Sequence, residues 1–124
     1  MSSRMKTVSL RDIAYARSGD KGNSANIGVI AYTFDGFQHL RQALTADVVA
    51  DWFKELGACR VERFELPSLG ALNFVLEGAL AGGGSRSLRV DAQGKALAVA
   101  LLEMPIRVPA DLYPTCVRKP VERV

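Results

Sequence analysis

Leu66-Pro67-Ser68-Leu69-Gly70-Ala71-Leu72-Asn73-Phe74-Val75-Leu76-Glu77-Gly78-Ala79-Leu80 is the stretch on which the fold turns. Pro67 stops the strand signal of Val61, Phe64 and Leu66, because it withholds a backbone donor. Ser68 is an N-cap residue type, and Leu72, Val75, Leu76, Ala79 and Leu80 recur at helical spacing. The spacing predicts an amphipathic helix here, ended by Gly82-Gly83-Gly84.

Upstream of it, Val8 and Leu10, then Ile13 and Tyr15, alternate with smaller or polar residues. They read as a strand whose phase breaks at Arg11-Asp12, as a bulge would break it. Ser18-Gly19-Asp20-Lys21-Gly22-Asn23-Ser24 reads as a turn-forming loop. Ile27-Gly28-Val29-Ile30-Ala31-Tyr32 is apolar on both faces, the mark of a central strand. Asp35-Gly36 turns the chain, and residues 37–44 read as a short helix. Thr45 then caps a helix that carries Val48, Val49, Trp52, Phe53 and Leu56 on one stripe and ends at Gly57.

Downstream, Leu88 and Val90 alternate with polar residues up to an Asp91-Ala92-Gln93-Gly94 turn. Residues 96–102 are apolar on both faces and read as the second arm of a hairpin. After Met104, Pro105, Pro109, Pro114 and Pro120 predict an extended arm over the surface or onto a partner subunit, with the domain core at about residues 7–108. Two helices on one face of a sheet of about five strands make an α+β protein, a two-layer α/β sandwich. Its other sheet face exposes apolar side chains, and a homo-oligomer would cover them.

At 124 residues the chain suits one domain with its own core, and 48% apolar with 23% charged residues argues against disorder. The N-terminal Met1-Ser2-Ser3-Arg4-Met5-Lys6 lacks the apolar region of a secretory signal, and no apolar run reaches the roughly 18 residues of a membrane span. Cys59 and Cys116 have no metal-like or redox-like spacing, so a cytoplasmic chain with two reduced thiols is expected. The net charge of +3 lies mostly at the two ends, without interleaved aromatics or a nucleic-acid motif, so no nucleic-acid partner is expected.

The lone histidine, His39, has no orienting partner in view and reads as an ordinary helix residue. Residues 18–26 are the densest polar segment beside a strand: Asp20 is a base or carboxylate ligand type, Lys21 a counter-charge, Asn23 and Asn26 carbonyl binders. The segment is not a phosphate-binding P-loop, whose glycines lead into Gly-Lys-Ser/Thr and a helix. Gly82-Gly83-Gly84-Ser85-Arg86 resembles a phosphate cradle, but a helix C-terminus before it would repel an anion, with Arg86 partly offsetting that. Asn73 stands in an apolar turn of the predicted helix and needs hydrogen-bond partners, with Glu77 one turn on. Asp20, Lys21, Asn23, Asn26, Asn73 and Arg86 are the candidate ligand-binding residues. No catalytic residue, metal ligand or cofactor is assigned.

Three motifs are familiar as a set. Ala16-Arg17-Ser18-Gly19-Asp20-Lys21-Gly22-Asn23 with Asn26-Ile27-Gly28-Val29, then Leu66-Pro67-Ser68-Leu69-Gly70-Ala71-Leu72-Asn73-Phe74, then Gly82-Gly83-Gly84-Ser85-Arg86-Ser87-Leu88 with Asp91-Ala92-Gln93-Gly94-Lys95 resemble the AtuA-like ferredoxin-fold domain family. The likeness runs from about Val8 to Val108. It implies a ferredoxin-like fold and a bacterial setting near acyl-CoA and branched-chain or terpenoid catabolism. In larger relatives this domain follows a bigger domain named for acyclic terpene utilisation, so this chain looks like the stand-alone version. Two functions are therefore expected: a non-catalytic accessory module for a separate AtuA-type large subunit, or a small enzyme or binding protein for an acyl or acyl-CoA ligand held by the 18–26 and 82–87 loops.

Overall fold

The computed structural model describes residues 4–21, 24–54, 60–77 and 95–118, with the backbone alone for 20, 21, 95 and 96. In order they form β1 (Met5–Ser9), a 3-10 turn (Leu10–Asp12), β2 (Ala14–Lys21), β3 (Ser24–Ala31), α1 (Phe34–Ala43), α2 (Ala46–Trp52), β4 (Arg60–Leu66), a second 3-10 turn (Pro67–Leu69), β5 (Ala71–Glu77), α3 (Lys95–Leu102) and β6 (Pro105–Pro109). The main sheet has the order β2-β3-β5-β4, antiparallel throughout, and β1 pairs with β6 in a sheet of two strands. The class is α+β, with four strands plus two in place of one sheet of about five.

Alternation sets the two faces of the main sheet. Ala25, Ile27 and Val29 on β3, and Leu72, Phe74 and Leu76 on β5, are buried against one layer of helices. There α3 lies on β2, α1 on β3 and α2 on β4. Phe37, Leu40, Leu44, Val49, Phe53, Leu97 and Leu101 complete this core. Arg63 on β4 ties the layers together: its guanidinium donates to the Arg41 and Leu44 carbonyls at 2.8 and 3.0 Å, groups that the end of α1 leaves unpaired.

Residues 71–77 are a strand, not the helix that the spacing predicts. Leu72, Phe74 and Leu76 are buried and Asn73 and Val75 half-buried, a period of two. Leu72 and Leu76 fit either period, so the neighbours decide: β5 fills its ladder from both sides, with β3 and β4. Ser68 caps no helix. It sits in the 3-10 turn closed by Gly70, whose φ of 61° is the left-handed conformation that glycine favours. Gly70 accepts from the Ala31 amide at 3.0 Å, which pins the corner to β3.

Residues 95–102 are a helix, not the arm of a hairpin. Leu97, Ala98 and Leu101 are buried while Val99 is exposed. An apolar run on both faces does not separate a buried strand from a buried helix. The Ala- and Leu-rich composition favours the helix. The Leu88–Gly94 part of the predicted hairpin, Gly57 and Gly82-Gly83-Gly84 lie outside the described residues.

Three boundaries also differ. The break at Arg11-Asp12 is a 3-10 turn in which Asp12 accepts from the Ser9 amide at 3.1 Å, not a bulge. Asp35-Gly36 lies in the first turn of α1, which starts at Phe34. Of the proline-rich arm, residues 105–109 are the strand β6 and residues 110–118 fold back on α1, where Thr33 donates to the Thr115 carbonyl at 2.6 Å and Cys116 is buried; Pro120 lies outside the described residues. Thr45 caps α2 as expected, accepting from the Val48 amide at 3.2 Å. Of the α2 stripe, Val49 and Phe53 are buried, whereas Trp52 is 40% exposed and donates from Nε1 to the Ala100 carbonyl at 3.0 Å. Among the described residues no helix is long and apolar enough to cross a membrane.

Candidate functional site on the open sheet face

The face of the main sheet turned away from the helices is a grid whose rows follow from the strand registers. From β2 to β4, one row reads Tyr15, Ile30, Ala71, Leu66 and the next Arg17, Gly28, Asn73, Phe64. Then come Gly19, Asn26, Val75, Glu62, and finally Ser24, Glu77, Arg60, a row that the backbone of Lys21 continues. One end of the grid is apolar and the other polar.

At its centre the Asn26 amide donates from Nδ2 to Asn73 Oδ1 at 3.2 Å, across two strands and 47 residues of sequence. Glycines border the pair. A Cβ on Gly19 would lie 3.4 Å from Asn26 Oδ1, and one on Gly28 3.9 Å from Asn73 Oδ1. The pair thus sits on a low floor, between Tyr15 and Arg17 on β2 and Phe64 and Leu66 on β4. Tyr15, Phe64 and Leu66 are 43%, 48% and 41% exposed, and Leu69 beside them 66%. Tyr15 stacks on Tyr32 at a centroid distance of 5.8 Å. Arg60 pairs with Glu62 at 2.6 Å on the same face.

Of the six residues singled out in the sequence, the structure brings Asn26 and Asn73 together. Asn73 is a strand residue on the outer face, not a helix residue, and Glu77 shares that face two rungs away, exposed. The backbone of Asp20 and Lys21 closes β2, with Lys21 opposite Ser24. Asn23 and Arg86 lie outside the described residues. Ser24 pairs on its other side with Glu77, the last residue of β5. The last described element before residues 82–86 is the strand β5, not the helix that the spacing predicts, and residues 78–94 lie outside the described residues. The sequence reading missed Arg17, Gly28 and Phe64 as members of this face. Period-two alternation in residues 71–77 was the signal that could have found them.

Other reactive groups lie elsewhere. His39 Nε2 is 2.7 Å from the Arg107 carbonyl, which only accepts, so Nε2 carries a proton and joins α1 to β6. Cys116 is a free buried thiol whose pKa is raised above 9.0, first by burial and then by the charge of Asp35, with a hydrogen bond to Thr115 acting the other way. Cys59 lies outside the described residues. A groove of about 330 Å³ lies between Trp52, Val48 and Pro105, and one of about 490 Å³ runs along β4 beside Thr45 and Phe64. Among the described residues no group of His, Cys, Asp and Glu could hold a metal ion.

A family model described as the AtuA ferredoxin-like domain matches residues 8–107, which includes both amides and all six strands in whole or in part. The chain belongs to the AtuA ferredoxin-like domain family. No curated protein and no solved structure matches it. All three motifs read in the sequence fall within the matched residues. In this AtuA-type domain the first two motifs meet at the Asn26–Asn73 bond.

Proposed function

We propose that this AtuA-type domain is a non-catalytic accessory or assembly module that works with a separate AtuA-type large subunit in acyl-CoA, terpenoid or branched-chain catabolism. The observation that carries the reading is the open sheet face. Antiparallel sheets tolerate water on one side when that side is polar. Here Tyr15, Phe64, Leu66 and Leu69 expose apolar surface together, as a contact surface does. The test is sedimentation of the chain with a purified AtuA-type large subunit. A complex of defined stoichiometry is expected. No complex, with the large subunit equally active alone, overturns the reading.

A second reading has its own observation in the amide pair. Asn26 and Asn73 meet over a floor of glycines at the centre of the open face. Such a floor admits a thin ligand, and the remaining amide donors suit a thioester or carboxylate oxygen. In this reading the chain binds or converts an acyl or acyl-CoA ligand, with Asp20, Lys21, Asn23 and Arg86 as its further ligand-binding residues. A ligand at a hundredfold excess over its Kd raises stability by ~2.7 kcal/mol. Thermal shifts with acyl-CoAs that vanish in Asn73→Ala would establish it. The absence of any shift across acyl-CoAs, free CoA and short branched acids leaves the accessory reading alone.

A further inference from the structure

We infer that the open sheet face receives a second copy of this chain, face to face about a two-fold axis that runs along β5 at Asn73. This rests on the reading of that face as a contact surface and names its occupant.

The grid carries the argument. A two-fold axis along β5 places each residue of β4 over the β3 residue of the same row in the other copy. The register fixes those pairs as Phe64 with Gly28, Leu66 with Ile30, Glu62 with Asn26 and Arg60 with Ser24. Each pair is chemically matched. The Phe64 ring, 48% exposed, enters the hollow that Gly28 leaves. Leu66 covers Ile30. The Glu62 carboxylate faces the Asn26 amide group, and the Arg60 guanidinium faces a hydroxyl. On the axis Asn73 meets its own counterpart. Its Oδ1 already accepts from Asn26, which leaves Nδ2 to donate across the axis in both directions.

A two-fold interface is self-complementary, so a knob on the patch needs a hollow on the same patch, and a charge needs a group of opposite or neutral polarity there. This face supplies Phe64 and Gly28, and the acidic Glu62 and Glu77 beside the basic Arg60. Glu77 meets its counterpart only at the exposed end of the sheet, next to Arg60 of each copy. The helical layers then face outwards, free for a large subunit.

Sedimentation equilibrium of the chain alone tests this. The expected mass is twice 13.4 kDa. Gly28→Val fills the hollow, and its Cβ would be in ordinary contact at 3.9 Å from Asn73 Oδ1. Gly28→Val and, separately, Phe64→Ser should each weaken self-association by at least about tenfold, as loss of a central anchor does. Val99→Ser, on the exposed side of α3, should leave it unchanged. Circular dichroism confirms that each variant is folded. A single-copy mass at all concentrations overturns the inference, and so does a dimer that Gly28→Val and Phe64→Ser leave intact. Either result is independent of the large-subunit complex. If the face variants abolish that complex and leave self-association unchanged, the occupant is the large subunit: the accessory reading stands and this inference falls.

Discussion

Phe74→Ala against Val75→Ala decides whether residues 71–77 follow a period of two. Phe74 is 0% exposed on the inner face of β5, and Val75 points to the open face. Emptying a Phe site in a packed core costs about 3–5 kcal/mol, transfer and cavity together. Removing the two methyl groups of a half-buried Val costs about 1 kcal/mol or less at the same coefficient. At ~2.1 cal/mol/K per residue, a chain of this length has an unfolding entropy of about 0.26 kcal/mol/K. Phe74→Ala should therefore lower Tm by about 15 °C and Val75→Ala by about 4 °C or less. Urea unfolding at low protein concentration, where self-association plays no part, gives the same comparison as a shift in midpoint at constant m. Equal losses for the two variants would refute the strand and restore the helical stripe, in which Val75 faces inwards.

Three further outcomes follow from named contacts. Thr33 accepts from the Gly36 amide at 3.0 Å and donates to the Thr115 carbonyl at 2.6 Å, so Thr33→Ala should cost about 1–2 kcal/mol and Thr33→Ser much less. Trp52→Phe removes the bond to the Ala100 carbonyl but little buried surface, so chemical denaturation followed by circular dichroism should show a loss of about 1 kcal/mol. Cys116 has its thiol pKa raised in the fold. Its contribution is thus fully present below 9.0, the unfolded value, and is lost as pH rises from there towards the folded value, because only the unfolded chain then releases the proton. In a Cys59→Ser background, thiol labelling at pH 8 should be slow until the chain is unfolded, and Cys116→Ala should flatten the alkaline loss of stability.

Local chemistry was legible where one neighbour in sequence decides it. Thr45 as a cap, the Val49 and Phe53 stripe of α2, the helix near residues 37–44 and the strand near Ile27 all follow from such short-range rules. The α+β class follows too, because amphipathic helices must lie on a sheet. Asn26 and Asn73 were each visible as polar residues in apolar surroundings, and the three motifs together pointed to the family before any contact was known.

Other features belong to the tertiary structure alone. Leu72 and Leu76 satisfy a period of two and of 3.6 alike, so only pairing with β3 and β4 makes residues 71–77 a strand. Residues 97–101 are apolar on every side, and their docking on β2 makes them a helix. There the Ala98 amide donates to Ser18 Oγ at 3.2 Å. The bond between Asn26 and Asn73 spans 47 residues, and its direction depends on which way β5 faces. Turning residues 71–77 from helix to strand moved Asn73 onto the open face. Whether an amide meets another amide or water is set by strand register, and register is fixed by burial of the whole sheet rather than by any local pattern.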